Sequence, residues 1–118
     1  MRPASPLRHL TPEGLTLVAG RFRLLSEPLR LQILNRLQTG EASVSQLAAE
    51  IGTSQPNVSK HLRLLLEGGL VTRRQEGTTV FVRVADPSVF ELCRVVCGGI
   101  EKHLQSQARS FTRPSPGV

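Results

Sequence analysis

Two groups of residues in this 118-residue chain have types and spacings suited to chemistry. The first is Cys93 and Cys97, four apart in ELCRVVC, which helical periodicity places on one face. Thiols at that spacing can pack as small hydrophobes or act as a redox switch. They can also join a symmetry-related pair, helped by His103, to hold zinc or a softer thiophilic metal. An i,i+4 disulfide within one regular helix is poorly oriented, so oxidation would have to link subunits or form a mixed disulfide. Arg94 nearby could lower a thiol pKa. The second group is TSQPNVSKHLR, Thr53 to Arg63, where small hydrogen-bonding side chains lead into Lys60 and Arg63. Such groups suit base edges and phosphates more than bond breaking. His9, His61 and His103 are scattered, and no Ser/His/Asp set, carboxylate pair or phosphate loop appears, so no enzyme is expected.

The elements that must position the second group read as two short helices joined by a tight turn. Val44, Leu47, Ala48 and Ile51 recur at helical spacing, and Gly52 stops that run. Ser54 is a candidate N-cap for the next helix, with Pro56 in its first turn, where a missing N–H costs nothing. Val58, Leu62, Leu65 and Leu66 then share one side; Pro56, Lys60 and Arg63 lie opposite, with Asn57 and Ser59 on the flanks. A helix-turn-helix has this arrangement, one face anchored to a core and the other entering a major groove. The residues expected in the groove are Gln55, Asn57, Ser59 and Lys60, with Ser54 and Arg63 meeting phosphates. His61, beside the apolar side, is expected to be packed and hydrogen-bonded.

The bulk composition agrees. Net charge is +6, the computed pI is near 11, and 13 of the 15 basic residues are Arg, which suits a polyanionic partner. With four Phe and neither Tyr nor Trp, aliphatic side chains must fill the core. No apolar run approaches the roughly 20 residues needed to span a bilayer, and no signal segment is evident, so a cytoplasmic protein with reduced thiols and no membrane partner is expected.

In chain order, residues 1–11 read as a loose arm carrying Arg2, Arg8 and His9, residues 12–109 as one domain, and residues 110–118 as a loose tail. A first helix is expected over Pro12 to Leu25, with Leu15, Val18, Ala19, Phe22 and Leu25 as its stripe. A second is expected to be capped by Ser26 and to bury Leu29, Ile33, Leu34 and Leu37. Glu41 to Ser43 reads as an extended link. After Gly68-Gly69 the period falls to two, and LVTRRQ and TTVFVRV around Glu76-Gly77 signal a hairpin. Leu70, Val80, Val82 and Val84 face the core in this reading, leaving Arg73, Arg74 and Arg83 mostly exposed. A last helix is expected from Pro87 to Arg109, with Gly98-Gly99 as a point where it could break.

Assembled, the chain resembles the ArsR/SmtB family of winged-helix repressors. SEPLRLQIL (Ser26 to Leu34), TSQPNVSKHLRLLLEGGLV (Thr53 to Val71) and RRQEGTTVFVRV (Arg73 to Val84) carry the resemblance, which runs from about Phe22 to Leu104. It implies a mostly α fold of about five helices plus a small β-hairpin wing, dimerising through the first and last helices. It further implies a homodimeric repressor on double-stranded DNA at an inverted-repeat operator, with half-sites about 34 Å apart. Arg73 and Arg74 would meet phosphates from the wing, and Arg30 would orient the second helix or touch backbone. The family's arsenic motif, ELCVCDL, is matched here by EASVSQL, with Ser43 and Ser45 where thiolates would stand, so that site is absent. Its last-helix zinc site is badly incomplete, since Asp86-Pro87-Ser88 replaces Asp-x-His and His103 stands alone. The competing reading is a winged helix serving as a protein-interaction module, its basic face docking an acidic partner without any operator.

Overall fold

Local capping decides where the helices begin. Thr11 Oγ1 accepts from the Gly14 N–H at 3.0 Å and opens helix α1 (Pro12–Leu24), with Pro12 in its first turn. Helix α2 (Pro28–Leu37) starts later than a Ser26 cap would allow. Pro28 holds Glu27 extended (φ −110°, ψ 122°), so Glu27 occupies the N-cap, while Ser26 Oγ donates back to the Arg23 carbonyl at 2.7 Å. Ser43 forms a capping box with Gln46 at the start of helix α3 (Val44–Ile51), and Ser54 Oγ accepts from the Asn57 N–H to open helix α4 (Gln55–Glu67). The computed structural model describes residues 5–107. Arg2 in the expected arm, Arg109 at the expected end of the last helix and the tail 110–118 lie outside the described residues.

The described chain divides into two compact units, the first ending at Ala85 and the second opening at Asp86. In the first, Ile33, Leu34 and Leu37 of α2, Leu47 and Ala48 of α3, and Val58, Leu62 and Leu65 of α4 are buried. They are joined by Leu70, just before the hairpin, and by Val71 and Val82 from a small sheet. Strands β2 (Val71–Glu76) and β3 (Thr79–Val84) form the expected hairpin about the two-residue loop Gly77-Thr78, with Arg73 opposite Val82 and Arg74 opposite Phe81. Glu41 to Ser43 is more than a link. Ala42–Ser43 pairs with the free edge of β3 as strand β1, giving the antiparallel order β1-β3-β2. That pairing satisfies backbone groups the edge would otherwise expose.

Helix α1 carries no buried residue; Leu15, Leu17 and Phe22 stay exposed, Leu17 by 77%. The second unit contains helix α5 (Ser88–Ser106), opened by Asp86, whose Oδ1 accepts from the Ser88 N–H and hydroxyl. It runs unbroken through Gly98-Gly99, so the glycines weaken the helix without ending it. Val95, Val96 and Ile100 are exposed along it.

The turn between α4 and β2 places Gly69 at φ 75°, with its N–H donating to Leu66 and the Leu70 N–H donating to Leu65, so both orphan carbonyls are satisfied. Leu65 and Leu70 are both fully buried, which supplies the hydrophobic contact that accompanies this motif. Gly69→Ala forces a Cβ into the left-handed region and is expected to lower unfolding free energy by about 1 kcal/mol. Urea denaturation followed by circular dichroism checks it.

Candidate nucleic-acid interface

Helix α4 is gripped along one side only. Val58, Leu62 and Leu65 are at most 3% exposed, and His61 completes that side at 8%. On the other side Gln55, Pro56, Ser59, Lys60 and Arg63 stand exposed, with Ser54 exposed at the N-cap. The turn into it depends on Gly52 (φ 83°), where the Gly52 and Thr53 N–H groups both donate to the Ala48 carbonyl. Asn57 differs from its neighbours. It is half-buried, and its amide donates to Thr53 Oγ1 at 2.9 Å, which holds its oxygen in a fixed orientation. Arg63 pairs loosely with Glu67 at 3.6 Å, both side chains well exposed.

The anchored side contains a polar lock. Arg30 donates from Nε to the Leu24 carbonyl at 2.7 Å, from Nη2 to the Arg23 carbonyl at 3.3 Å, and from Nη1 to His61 Nδ1 at 3.1 Å. One guanidinium therefore joins the end of α1, the start of α2 and the middle of α4. Since Arg can only donate, Nδ1 must accept and the ring proton sits on Nε2. His61 is packed and hydrogen-bonded as expected, and Arg30, expected to orient the second helix or touch backbone, ties α2 to α1 and α4.

On the hairpin, Arg73 bonds Gln75 at 3.4 Å and Arg83 bonds Thr72 at 3.4 Å; neither forms an ion pair among the described residues. Arg74 is committed elsewhere. Its Nε and Nη2 fork onto both oxygens of Glu41 at 2.9 and 2.7 Å, its Nη1 reaches Glu76 at 2.6 Å, and its guanidinium lies 4.4 Å above the Phe81 ring. The Arg74 hydrogen bonds hold the Glu41 carboxyl below its usual range. Sequence patterning missed this cluster because Glu41 and Arg74 are 33 residues apart and nothing local marks them as partners.

The cysteines behave differently from one another. Cys97 is exposed and Cys93 half-buried. Burial, with a smaller contribution from Cys97, pushes the Cys93 thiol up, and Arg94 does not reverse this because it pairs with Glu91. For Cys93 the direction is opposite to the lowering expected from Arg94. Among the described residues, no three His, Cys, Asp or Glu side chains come together as a metal site.

Residues 27–73, which hold α2 through the start of β2, match the sequence model of the family described as bacterial regulatory protein, arsR family. A solution structure from Mycobacterium bovis is titled as a homodimeric winged helix-turn-helix DNA-binding domain of a possible ArsR-family transcriptional regulator. It shares 31% identity at a TM-score of 0.70, covering 97% of this chain and all of that one. The chain belongs to the ArsR family. Another relative, the biofilm growth-associated repressor of Xylella fastidiosa, is 34% identical over 88 residues, covering 71% of this chain and 77% of that protein. The HTH-type transcriptional regulator KmtR of Mycobacterium tuberculosis is 39% identical over 83 residues, or 70% of this chain. That match spans 64% of KmtR, less than two thirds of its length. The ArsR-family winged helix-turn-helix, with five helices and a wing, is the fold expected from the sequence.

Burial first, then the nearby charges of Arg30 and Lys60, lowers the His61 pKa below its ordinary 6.5, against a smaller opposing effect of Glu27. The folded state therefore binds the proton less well than the unfolded chain. The stabilisation is fully present above the unfolded pKa and is lost as pH falls through 6.5 towards the folded value. Unfolding free energy should drop between about pH 7.5 and about pH 5.5, and His61→Gln, which keeps an acceptor for Arg30, should flatten that drop. Denaturant titrations at the two pH values provide the measurement.

Proposed function

We propose that this ArsR-family chain is a homodimeric, sequence-specific transcriptional repressor that binds an inverted-repeat operator in double-stranded DNA in the cytoplasm. The observation that carries the reading is the two-sidedness of α4: an apolar side sealed in the core and a hydrophilic, basic side left clear among the described residues. Gln55, Asn57, Ser59 and Lys60 are the groups assigned to the major groove, with Ser54, Arg63 and Arg73 on phosphates. An amide that accepts and donates at adenine in a bidentate way gives about 1–3 kcal/mol of discrimination. Asn57 is half-oriented for that by its bond to Thr53. The exposed apolar residues of α1 and of α5 support burial of each helix against a second copy, as does the homodimeric title of the M. bovis domain. The name of the X. fastidiosa relative supports repression as the output. No helix among the described residues is long and apolar enough to cross a membrane.

Fluorescence anisotropy on duplexes from the chain's own promoter region tests this. Binding should follow dimer concentration, and log affinity should fall against log salt with a slope of about −0.9 per phosphate neutralised. Lys60→Ala should weaken all sequences, by about 1 kcal/mol or more, whereas Asn57→Ala should relax preference at one base pair per half-site. A complex without sequence preference, or capture of an acidic protein with no DNA binding, would overturn the reading in favour of an interaction module.

A further inference from the structure

Arg74 has the charge and the position of a wing phosphate contact, yet its surroundings argue for another role. Two carboxylates, Glu41 and Glu76, already lie within 2.7 Å of its nitrogens, so a phosphate approaching it would have to compete with both for its donors. The fork onto Glu41 has the bidentate geometry in which a guanidinium is most selective for a carboxylate.

The topology gives that fork a mechanical meaning. In the sheet order β1-β3-β2, Arg74 belongs to one outer strand, Phe81 to the central one, and Glu41 immediately precedes the other outer strand. The guanidinium thus crosses β3 over the Phe81 ring and grips the far side. Strand β1 has only two residues to hold it in the sheet, and its second, Ser43, is the N-cap of α3. From Ser43 the chain runs through α3 and the Gly52 turn into α4. We propose that Arg74 is a positioning residue, a strap from β2 over Phe81 to Glu41 that sets where the wing stands relative to the reading face of α4. Thr72, Arg73 and Arg83 line the same shallow depression as Glu41 and Arg74, so the strap also presents the two arginines that lack carboxylate partners among the described residues.

This inference rests on the proposed operator binding, and the test separates the two. On the operator reading, Glu41→Gln removes a negative charge from beside the basic wing. If Arg74 were a masked phosphate contact, that change would free it, tighten binding and steepen the salt slope by about 0.9. The strap requires the opposite sign: Glu41→Gln weakens operator binding about threefold to fivefold with no steeper slope. Arg74→Lys, which keeps the charge and loses the fork, should behave like Arg74→Ala, and Glu41→Gln combined with Arg74→Ala should be no worse than either alone. Each variant is first checked for wild-type helical content and cooperative unfolding. Amide hydrogen exchange without DNA supplies a second readout, in which Ala42 and Val82, which face each other across β1 and β3, should exchange faster in Glu41→Gln than in the wild type. Tighter binding by Glu41→Gln, wild-type behaviour of Arg74→Lys, or unchanged exchange would overturn the strap. No binding by the wild-type chain would instead overturn the operator reading, leaving the exchange comparison to decide the strap.

Discussion

Helix α4 must be held hard enough by one side to leave the other side free. Val58, Leu62 and Leu65 lose nearly all their accessible surface, and full burial of such side chains contributes roughly 1.5–3 kcal/mol each. Apolar packing alone leaves rotation about the helix axis loosely specified, because aliphatic surfaces tolerate small slips. The Arg30–His61 bond removes that freedom. It fixes one side chain of α4 to carbonyls at the end of α1, and its directionality sets which residues face outward. Gln55, Ser59, Lys60 and Arg63 stand clear because His61, Leu62 and Leu65 cannot.

The same logic of local grip repeats at both ends of the helix-turn-helix. Ser43 and Ser54 cap α3 and α4, and Gly52 and Gly69 turn the chain where a side chain would be strained. Arg36 pairs with Glu50 at 2.5 Å, tying α2 to α3, and Arg21 donates to the Gly68 carbonyl at the end of α4 at 3.1 Å. Each contact is short-ranged; together they tie α2, α3 and α4 to one another and to α1. On α5, in the second unit, Cys93 is a reluctant thiolate and Cys97 the accessible thiol.

Features written in neighbouring residues were legible before any coordinates. The amphipathic spacing of Val58, Leu62 and Leu65, the Ser54 cap and the Gly52 stop depend on side chains within one turn of each other, and all three hold. The hairpin about Gly77 is equally local. What escaped was either a competition or a long-range meeting. Ser26 looked like a cap, but Pro28 fixes its predecessor as extended and moves the helix start by one residue. Strand β1 is two residues long, too short to show a period, and exists because β3 offers it an edge. The Glu41–Arg74 fork joins residues 33 apart across the sheet, whereas the sequence reads Arg74 as a mostly exposed arginine with a phosphate contact implied by the family resemblance. In the candidate interface, the outward placement of Gln55, Ser59, Lys60 and Arg63 was readable, while the commitments of Asn57 to Thr53, Arg63 to Glu67 and Arg74 to Glu41 were not.

Nitrogen–proton correlation spectra of the labelled protein, titrated with an operator duplex, address the central claim that α4 reads DNA with its unburied side. The account predicts amide shifts concentrated in residues 54–63 and in the hairpin, 71–84, with the interior stripe of α2 undisturbed. Shifts that spare residues 54–63 and gather elsewhere in the chain would contradict it.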